Sequence, residues 1–237
     1  VHMTNVVFES FPPILVPVTD GRSFPVHRIY CVGRNYAEHA QEMGATGREP
    51  PFFFMKPTDA LVCVADGEVG HIHYPPQTEN LHHEAELVVA LGRGGRDIAV
   101  ADAAAHVFGY AIGLDMTRRD LQNDMKKQGR PWEIGKSYEE SAPIGPLHPR
   151  TQTGELASGS ITLEVNGQPR QRGDLSDLIW NVAETISTLS RAWTLQPGDL
   201  IYTGTPAGVG AVVAGDVMCV RIAGLGELRV RVLPAQA

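Results

Sequence analysis

Apolar residues recur along this chain mostly in short blocks with a two-residue rhythm, a pattern that predicts strands more often than helices. Residues 29–32 and 52–55 read as brief apolar strands, the second stopped by Lys56-Pro57. Residues 81–91 read as one strand. Its second half, Leu87-Val88-Val89-Ala90-Leu91, is continuously apolar and is therefore expected to be buried on both faces. Residues 107–114 form another glycine-containing strand. Residues 161–165 followed by Asn166-Gly167 predict a hairpin, because that pair suits the tightest two-residue turn. Residues 200–203 follow the turn Pro197-Gly198-Asp199, and residues 217–220 and 228–232 alternate around Gly224-Leu225-Gly226.

Helical spacing is rarer. Residues 35–43 suit a helix of two or three turns ended by Gly44. Thr117 is placed to cap a helix running to about Gln128, with Gly129 as its stop. The longest candidate covers 176–192, where Leu178, Ile179, Val182, Ile186 and Leu189 share a face and Ser176 is the expected cap. Residues 1–25 are expected to form a Pro-rich extended arm, with Val1-His2 ahead of Met3 reading as a cloning remnant, and residues 26–237 to form the main domain. Strands and helices do not alternate regularly. The expected fold is therefore α+β and β-rich with peripheral helices, not a doubly wound sheet or a TIM barrel.

Composition sharpens this picture. At 237 residues the chain suits one large domain, and its 25 Gly and 17 Pro, 42 residues in all, exceed the roughly 12% of average usage. That excess fits many turns and short strands. A net charge of −7 without a long basic block argues against nucleic acid as a partner. No apolar run approaches the ~18 residues of a membrane span, and no signal peptide is evident. Cys31, Cys63 and Cys219 are odd in number and form no CxxC pair, so neither a disulfide framework nor a thiolate zinc site is encoded. A reducing cytoplasm is the expected location.

The chemistry concentrates in Asn80-Leu81-His82-His83-Glu84-Ala85-Glu86-Leu87. On a strand Glu84 and Glu86 share a face, about 6.5–7 Å apart at Cβ. They enter directly onto an apolar run, where two carboxylates repel unless a hard cation takes both as ligands. Oxygen ligation favours Mg²⁺, Mn²⁺ or Ca²⁺ over zinc, and His82 and His83, facing opposite ways, can supply at most one further donor. Asp115, at the end of strand 107–114, is a candidate third ligand. The plainer alternatives are a solvated edge strand for the glutamates and a turn role for Asp115. His39 and Glu42 stand at i, i+3, where a carboxylate beside an imidazole suits water activation, although a surface pair is the commoner outcome. Arg119 and Gln122 share the same spacing after Asp115. The Gly/Pro segment 203–210 lacks the lysine of a phosphate loop and fits a compact loop offering the Thr205 hydroxyl and backbone amides to a carboxylate. Arg130, in Gly129-Arg130-Pro131-Trp132, is placed where it could meet a distal carboxylate.

The segments GRNYAEH (33–39), NLHHEAEL (80–87), GLDMTRRDLQ (113–122), GKS (135–137) and GDLIYTGTPAGVG (198–210) occur in one order. Together they resemble the fumarylacetoacetate hydrolase family over residues 28–235, in particular its short acylpyruvate hydrolase branch and, within it, the bacterial fumarylpyruvate hydrolases of gentisate-type aromatic degradation. The resemblance implies a mixed β-sandwich or β-roll core, a homodimer and one Mg²⁺ or Mn²⁺ per site, with Ca²⁺ as an alternative occupant in crystals. It implies Glu84, Glu86 and Asp115 as metal ligands and His39 with Glu42 as the water-activating pair. Lys136 becomes a catalytic lysine facing the substrate, and Lys56, Arg119, Gln122 and Thr205 hold the oxo acid. The implied reaction is hydrolysis of a carbon–carbon bond in a 2,4-dioxo acid. The alternatives are oxaloacetate decarboxylation or isomerisation of a 2-hydroxydienoate at the same site, or a non-catalytic binding protein that has kept the fold.

Overall fold

The computed structural model describes residues 6–37 and 48–236. Its core is a sandwich of two sheets, and the α+β, β-rich class follows from how few helices flank them. The larger sheet runs in the order Phe52–Lys56, Ile29–Gly33, Leu200–Tyr202, Ala85–Leu91, Val107–Leu114, Ala142–Ile144 and Leu61–Cys63, with His148–Pro149 pairing beside Val107–Leu114. It is mixed: Leu200–Tyr202 is parallel to Ile29–Gly33, and Ala85–Leu91 is antiparallel to both of its neighbours. The second sheet runs Gln168–Asp174, Ser160–Val165, Val217–Ile222, Gly226–Leu233, Val69–His73.

The apolar run 87–91 shows why the larger sheet is central. All seven residues of Ala85–Leu91 are buried. Leu87, Val89 and Leu91 point into the core shared with the second sheet, where Leu163, Met218, Val220 and Val230 meet them. Val88 and Ala90 point to the other side, into a second core made with Val16, Phe24, Leu61 and Ile144. A strand wetted on neither face carries no polar alternation, which is the reason for its uniform sequence. Burying one such Leu or Val contributes roughly 1.5–3 kcal/mol.

Four expectations are corrected. Within the expected N-terminal arm, Leu15–Pro17 and Ser23–Pro25 pair as an antiparallel hairpin whose Val16 and Phe24 belong to the second core. The strand expected over 81–91 breaks at Glu84: Leu81–His83 pairs with Thr117–Arg118 and Gly210–Ala211 in a small third sheet, and only Ala85–Leu91 joins the large one. Thr117 is strand, not a cap. The helix Arg119–Lys127 begins with no side-chain cap, and Gln128 and Gly129 follow its end. The helix expected from Ser176 is a 3₁₀ turn, Leu175–Asp177, then an irregular stretch, then the helix Val182–Ala192. Asn181 caps it, its Oδ1 accepting from the Glu184 N–H at 2.9 Å while Glu184 Oε2 accepts from the Asn181 N–H at 3.1 Å. This reciprocal Asn-x-x-Glu box outcompetes the apolar periodicity that extends upstream of it. The helix expected over 35–43 lies mostly outside the described residues.

The cap makes a ranking. Asn181→Ala is expected to lower stability by about 1 kcal/mol in urea unfolding. Ser176→Ala, which leaves this helix start intact, is expected to cost clearly less; equal losses would mean that the helix start is misplaced here.

Candidate active site

The sheet switch at Glu84 builds the site. Ala85 and Glu86 lie opposite Leu114 and Gly113 across the ladder, and the Asp115 N–H donates to the Glu84 carbonyl at 2.9 Å. Asp115 thus emerges beside Glu84, with Glu86 two residues further along. Glu84, Glu86 and Asp115 are all buried, and each offers a carboxylate oxygen such that the three oxygens lie within 4.8 Å of one another.

Cations answer this charge. Lys136, at the end of the short helix Glu133–Lys136, places its Nζ 2.8 Å from Glu84 Oε2, 2.7 Å from Asp115 Oδ2 and 2.7 Å from Thr117 Oγ1. Burial pushes its ammonium pKa down, but Asp115 and Glu84 more than offset this and leave it above its ordinary value. Gly135 is required just before it, since a Cβ there would sit 2.8 Å from the Gln122 backbone nitrogen. Arg119 Nη2 donates to Glu84 Oε1, and its Nη1 donates to Gln122 Oε1 at 2.5 Å. Lys56 Nζ is 2.8 Å from Asp115 Oδ1 and donates to Ser141 Oγ at 3.0 Å and to the Met116 and Lys136 carbonyls.

Glu86 is treated differently. Its Oε2 accepts the Gly204 N–H at 2.8 Å. Burial, then the charges of Asp115 and Glu84, push its carboxyl well above the usual carboxylate range. Gly204 can approach because it has no side chain and sits at φ 102, with Asn35 Cβ only 2.8 Å from where a Cβ would fall. Asn35 in turn ties the loop down by donating to the Thr203 carbonyl at 2.8 Å and the Trp180 carbonyl at 2.9 Å.

Glu84, Glu86, Asp115, Lys136, Arg119 and Gln122 line one cavity of about 20 Å³, with Arg34, Phe54, Trp132, Gly204 and Thr205 on its wall. That volume holds one water-sized particle. An oxygen-only donor set of three buried carboxylates, one of them pushed above the usual carboxylate range by burial and by the charges of the other two, fits a hard divalent cation, which relieves their mutual repulsion.

Of the residues expected at the site, Glu84, Glu86, Asp115, Lys136, Arg119, Gln122 and Thr205 come together. Lys56 does not line the cavity: it lies behind Asp115, its ammonium engaged by a carboxylate, a hydroxyl and two carbonyls. His39 and Glu42 lie outside the described residues. His82 and His83 do not join the acidic cluster. His82 Nε2 is 2.9 Å from Asn80 Oδ1, and burial followed by the Arg119 charge pushes the ring's pKa down to about 4. Arg34, not Arg130, supplies the wall's further arginine. Sequence reasoning missed Gln171 and the acceptor role of Thr117. Gln171 sits in a strand with no apolar residue, and the turn alone does not place it: pairing counted from Asn166-Gly167 would set Arg170 opposite inward-facing Leu163, and a bulge between Leu163 and Glu164 brings Gln171 there instead.

A β-sandwich that converges three buried carboxylates beside a lysine and an arginine defines a protein that can take a divalent metal at an enzyme-like pocket. The family profile for the fumarylacetoacetate (FAA) hydrolase C-terminal region matches residues 28–233, and the chain belongs to this family. It is 48% identical over 189 residues to the fumarylpyruvate hydrolase of a Ralstonia species, covering 79% of this chain and 95% of the relative. It is 42% identical over 204 residues to the mitochondrial oxaloacetate tautomerase FAHD1 of Rattus norvegicus, covering 86% and 90%. The crystal structure of fumarylpyruvate hydrolase from Pseudomonas aeruginosa in complex with Mn²⁺ and pyruvate superposes with a TM-score of 0.95 at 56% identity, covering 97% of this chain and 100% of that one.

The raised Glu86 carboxyl gives a pH-dependent expectation. In the unfolded chain it ionises near its ordinary value of 4.5, and in the metal-free fold only at higher pH. The unfolded state therefore loses its proton first, and the contribution of Glu86 to native stability falls as pH rises above about 4.5. Glu86→Gln removes that slope: metal-free protein is expected to be more stable than wild type at pH 7, with the gain shrinking toward pH 4.5, while Mn²⁺ binding is lost. Urea unfolding across that range and a Mn²⁺ titration check both halves.

Proposed function

We propose that this chain hydrolyses a carbon–carbon bond of a 2,4-dioxo acid, with fumarylpyruvate as substrate and fumarate and pyruvate as products. The observation that carries the reading is the buried Glu84–Glu86–Asp115 triad in one cavity with Lys136 and Arg119. The Ralstonia and Pseudomonas aeruginosa relatives named above support the choice of substrate.

Glu84, Glu86 and Asp115 would hold Mg²⁺ or Mn²⁺, which supplies Lewis-acid polarisation of a 2-oxo acid. Arg119, Gln122 and Thr205 orient the substrate's carboxylate end. His39, backed by Glu42, takes a proton from water, and the water oxygen adds to the C4 carbonyl. The C3–C4 bond then breaks, its electrons pass to C3 and the 2-oxo group, and protonation at C3 yields pyruvate. The Lys136 ammonium, fixed beside the acids, places positive charge where the enolate develops. We further propose Mg²⁺ as the native ion, a homodimer, a cytoplasmic setting in gentisate-type aromatic degradation, and a catalytic unit spanning 26–237.

A second reading is oxaloacetate tautomerisation or decarboxylation at the same site, favoured by the likeness to the rat tautomerase. Both chemistries need enolate stabilisation, and only hydrolysis needs an activated water. Assays of fumarylpyruvate, acetylpyruvate and oxaloacetate at one Mg²⁺ concentration decide between them, with fumarylpyruvate expected to give the highest kcat/KM. Oxaloacetate turnover without any acylpyruvate cleavage would overturn the proposal. His39→Gln is expected to lower kcat on fumarylpyruvate by about 10²–10⁴.

A further inference from the structure

Gln171 belongs to the second sheet, yet its side chain is 2% exposed and reaches the strand that carries the acids. Its carboxamide makes four contacts, and two of them leave no ambiguity. The Ala85 backbone N–H only donates, so the atom 3.1 Å from it is the oxygen Oε1. The Pro206 carbonyl only accepts, so the atom 2.8 Å from it is the nitrogen Nε2. With the amide oriented by these backbone groups, the other two contacts acquire a direction. His83 Nδ1, 3.0 Å from Oε1, is the protonated nitrogen of its ring and donates. Thr205 Oγ1, 2.7 Å from Nε2, accepts.

A hydroxyl that accepts from an amide keeps its own proton for a different partner. Among the described residues none takes the Thr205 proton, and Thr205 lines the cavity. We infer that Gln171 is a positioning residue, which by donating to Thr205 Oγ1 sets that hydroxyl as a fixed donor to the carboxylate of a 2-oxo acid ligand. The same amide holds Ala85, the residue between Glu84 and Glu86, so one side chain registers the ligand-binding hydroxyl against the acid-bearing strand. The inference rests on the proposed reading of the cavity as a 2-oxo acid site.

A double-mutant cycle on pyruvate binding, measured by calorimetry with Mn²⁺ present, tests it. Thr205→Val and Gln171→Met are each expected to weaken pyruvate about tenfold or more, the range of a hydrogen bond to a charged group. The double variant is expected to be no more than about threefold weaker than the worse single, because both changes remove the same donated proton. In fumarylpyruvate kinetics, Gln171→Met is expected to raise KM more than it lowers kcat. Multiplicative losses, or a Gln171→Met affinity within twofold of wild type, would overturn the inference. Should Gln171→Met fail to fold, two variants remain: Thr205→Val, where unchanged pyruvate affinity overturns it, and Gln171→Glu. The carboxylate of Gln171→Glu would accept the Thr205 proton, so loss of pyruvate binding with Mn²⁺ binding kept supports the inference, and retained pyruvate binding overturns it. Pyruvate binding needs no turnover, so a wild type that fails to cleave fumarylpyruvate sinks the proposed reaction and leaves this test standing. A wild type that does not bind pyruvate sinks the inference itself.

Discussion

The arrangement of this protein depends on holding three carboxylates together out of water. At an effective dielectric near 20, two unit charges about 4 Å apart repel by about 4 kcal/mol, and the three acids offer oxygens within 4.8 Å of one another. Lys136 bridges Glu84 and Asp115, Arg119 meets Glu84, and Lys56 meets Asp115 from behind. Glu86 has the Gly204 N–H on one oxygen, a dipole in place of an ion, and it is the acid whose ionisation burial and its neighbours oppose. The least compensated acid is therefore the one with most to gain from a cation.

That arrangement needs a backbone that changes allegiance. A continuous strand through 81–91 would keep Glu84 and Glu86 in one flat ladder. Breaking it at Glu84 sends Leu81–His83 to Thr117–Arg118 and Ala85–Leu91 to Val107–Leu114, so both segments flanking Glu84 pair with segments flanking Asp115. The acids meet where two sheets exchange strands, and the rigid neighbours on either side hold the repulsive contact in place. Lys56 belongs to the same logic: it steadies Asp115 and the turn carrying Lys136, which explains a buried lysine that does not reach the cavity.

Much of this was legible from residue pattern. The uniform run 87–91, the Asn166-Gly167 hairpin and the strand Val107–Leu114 were readable because double-sided burial and tight turns leave strong local marks. The acids were legible because carboxylates entering an apolar run are conspicuous. Other features were not, for particular reasons. Leu178 and Ile179 continue the apolar spacing of Val182–Ala192, so periodicity alone extended that helix past the Asn181–Glu184 box that starts it. Thr117 looks like a cap in one dimension and proves to be strand, its hydroxyl accepting from Lys136. Gln171 lies in Gln-Pro-Arg-Gln-Arg-Gly-Asp, where nothing apolar marks an inward face, and only pairing with Leu163 turns it toward the site.

The charge count also bears on which species the site favours. Counted formally, the acids Glu84, Glu86 and Asp115 are balanced by Lys56, Lys136 and Arg119. On the proposed reading a divalent cation leaves this paired set at +2, and Arg34 in the cavity wall adds one more positive charge. The carboxylate of a 2-oxo acid cancels one unit of that excess, and the same acid as its enolate cancels two. Binding that strengthens as charge develops is the kind that lowers a barrier, whereas attraction equal for both forms would only tighten substrate. With fewer buried cations the metal site would bind its ion more tightly and lose this preference. On that reading, the lysines and arginine that pair with the acids favour the enolate over its parent acid.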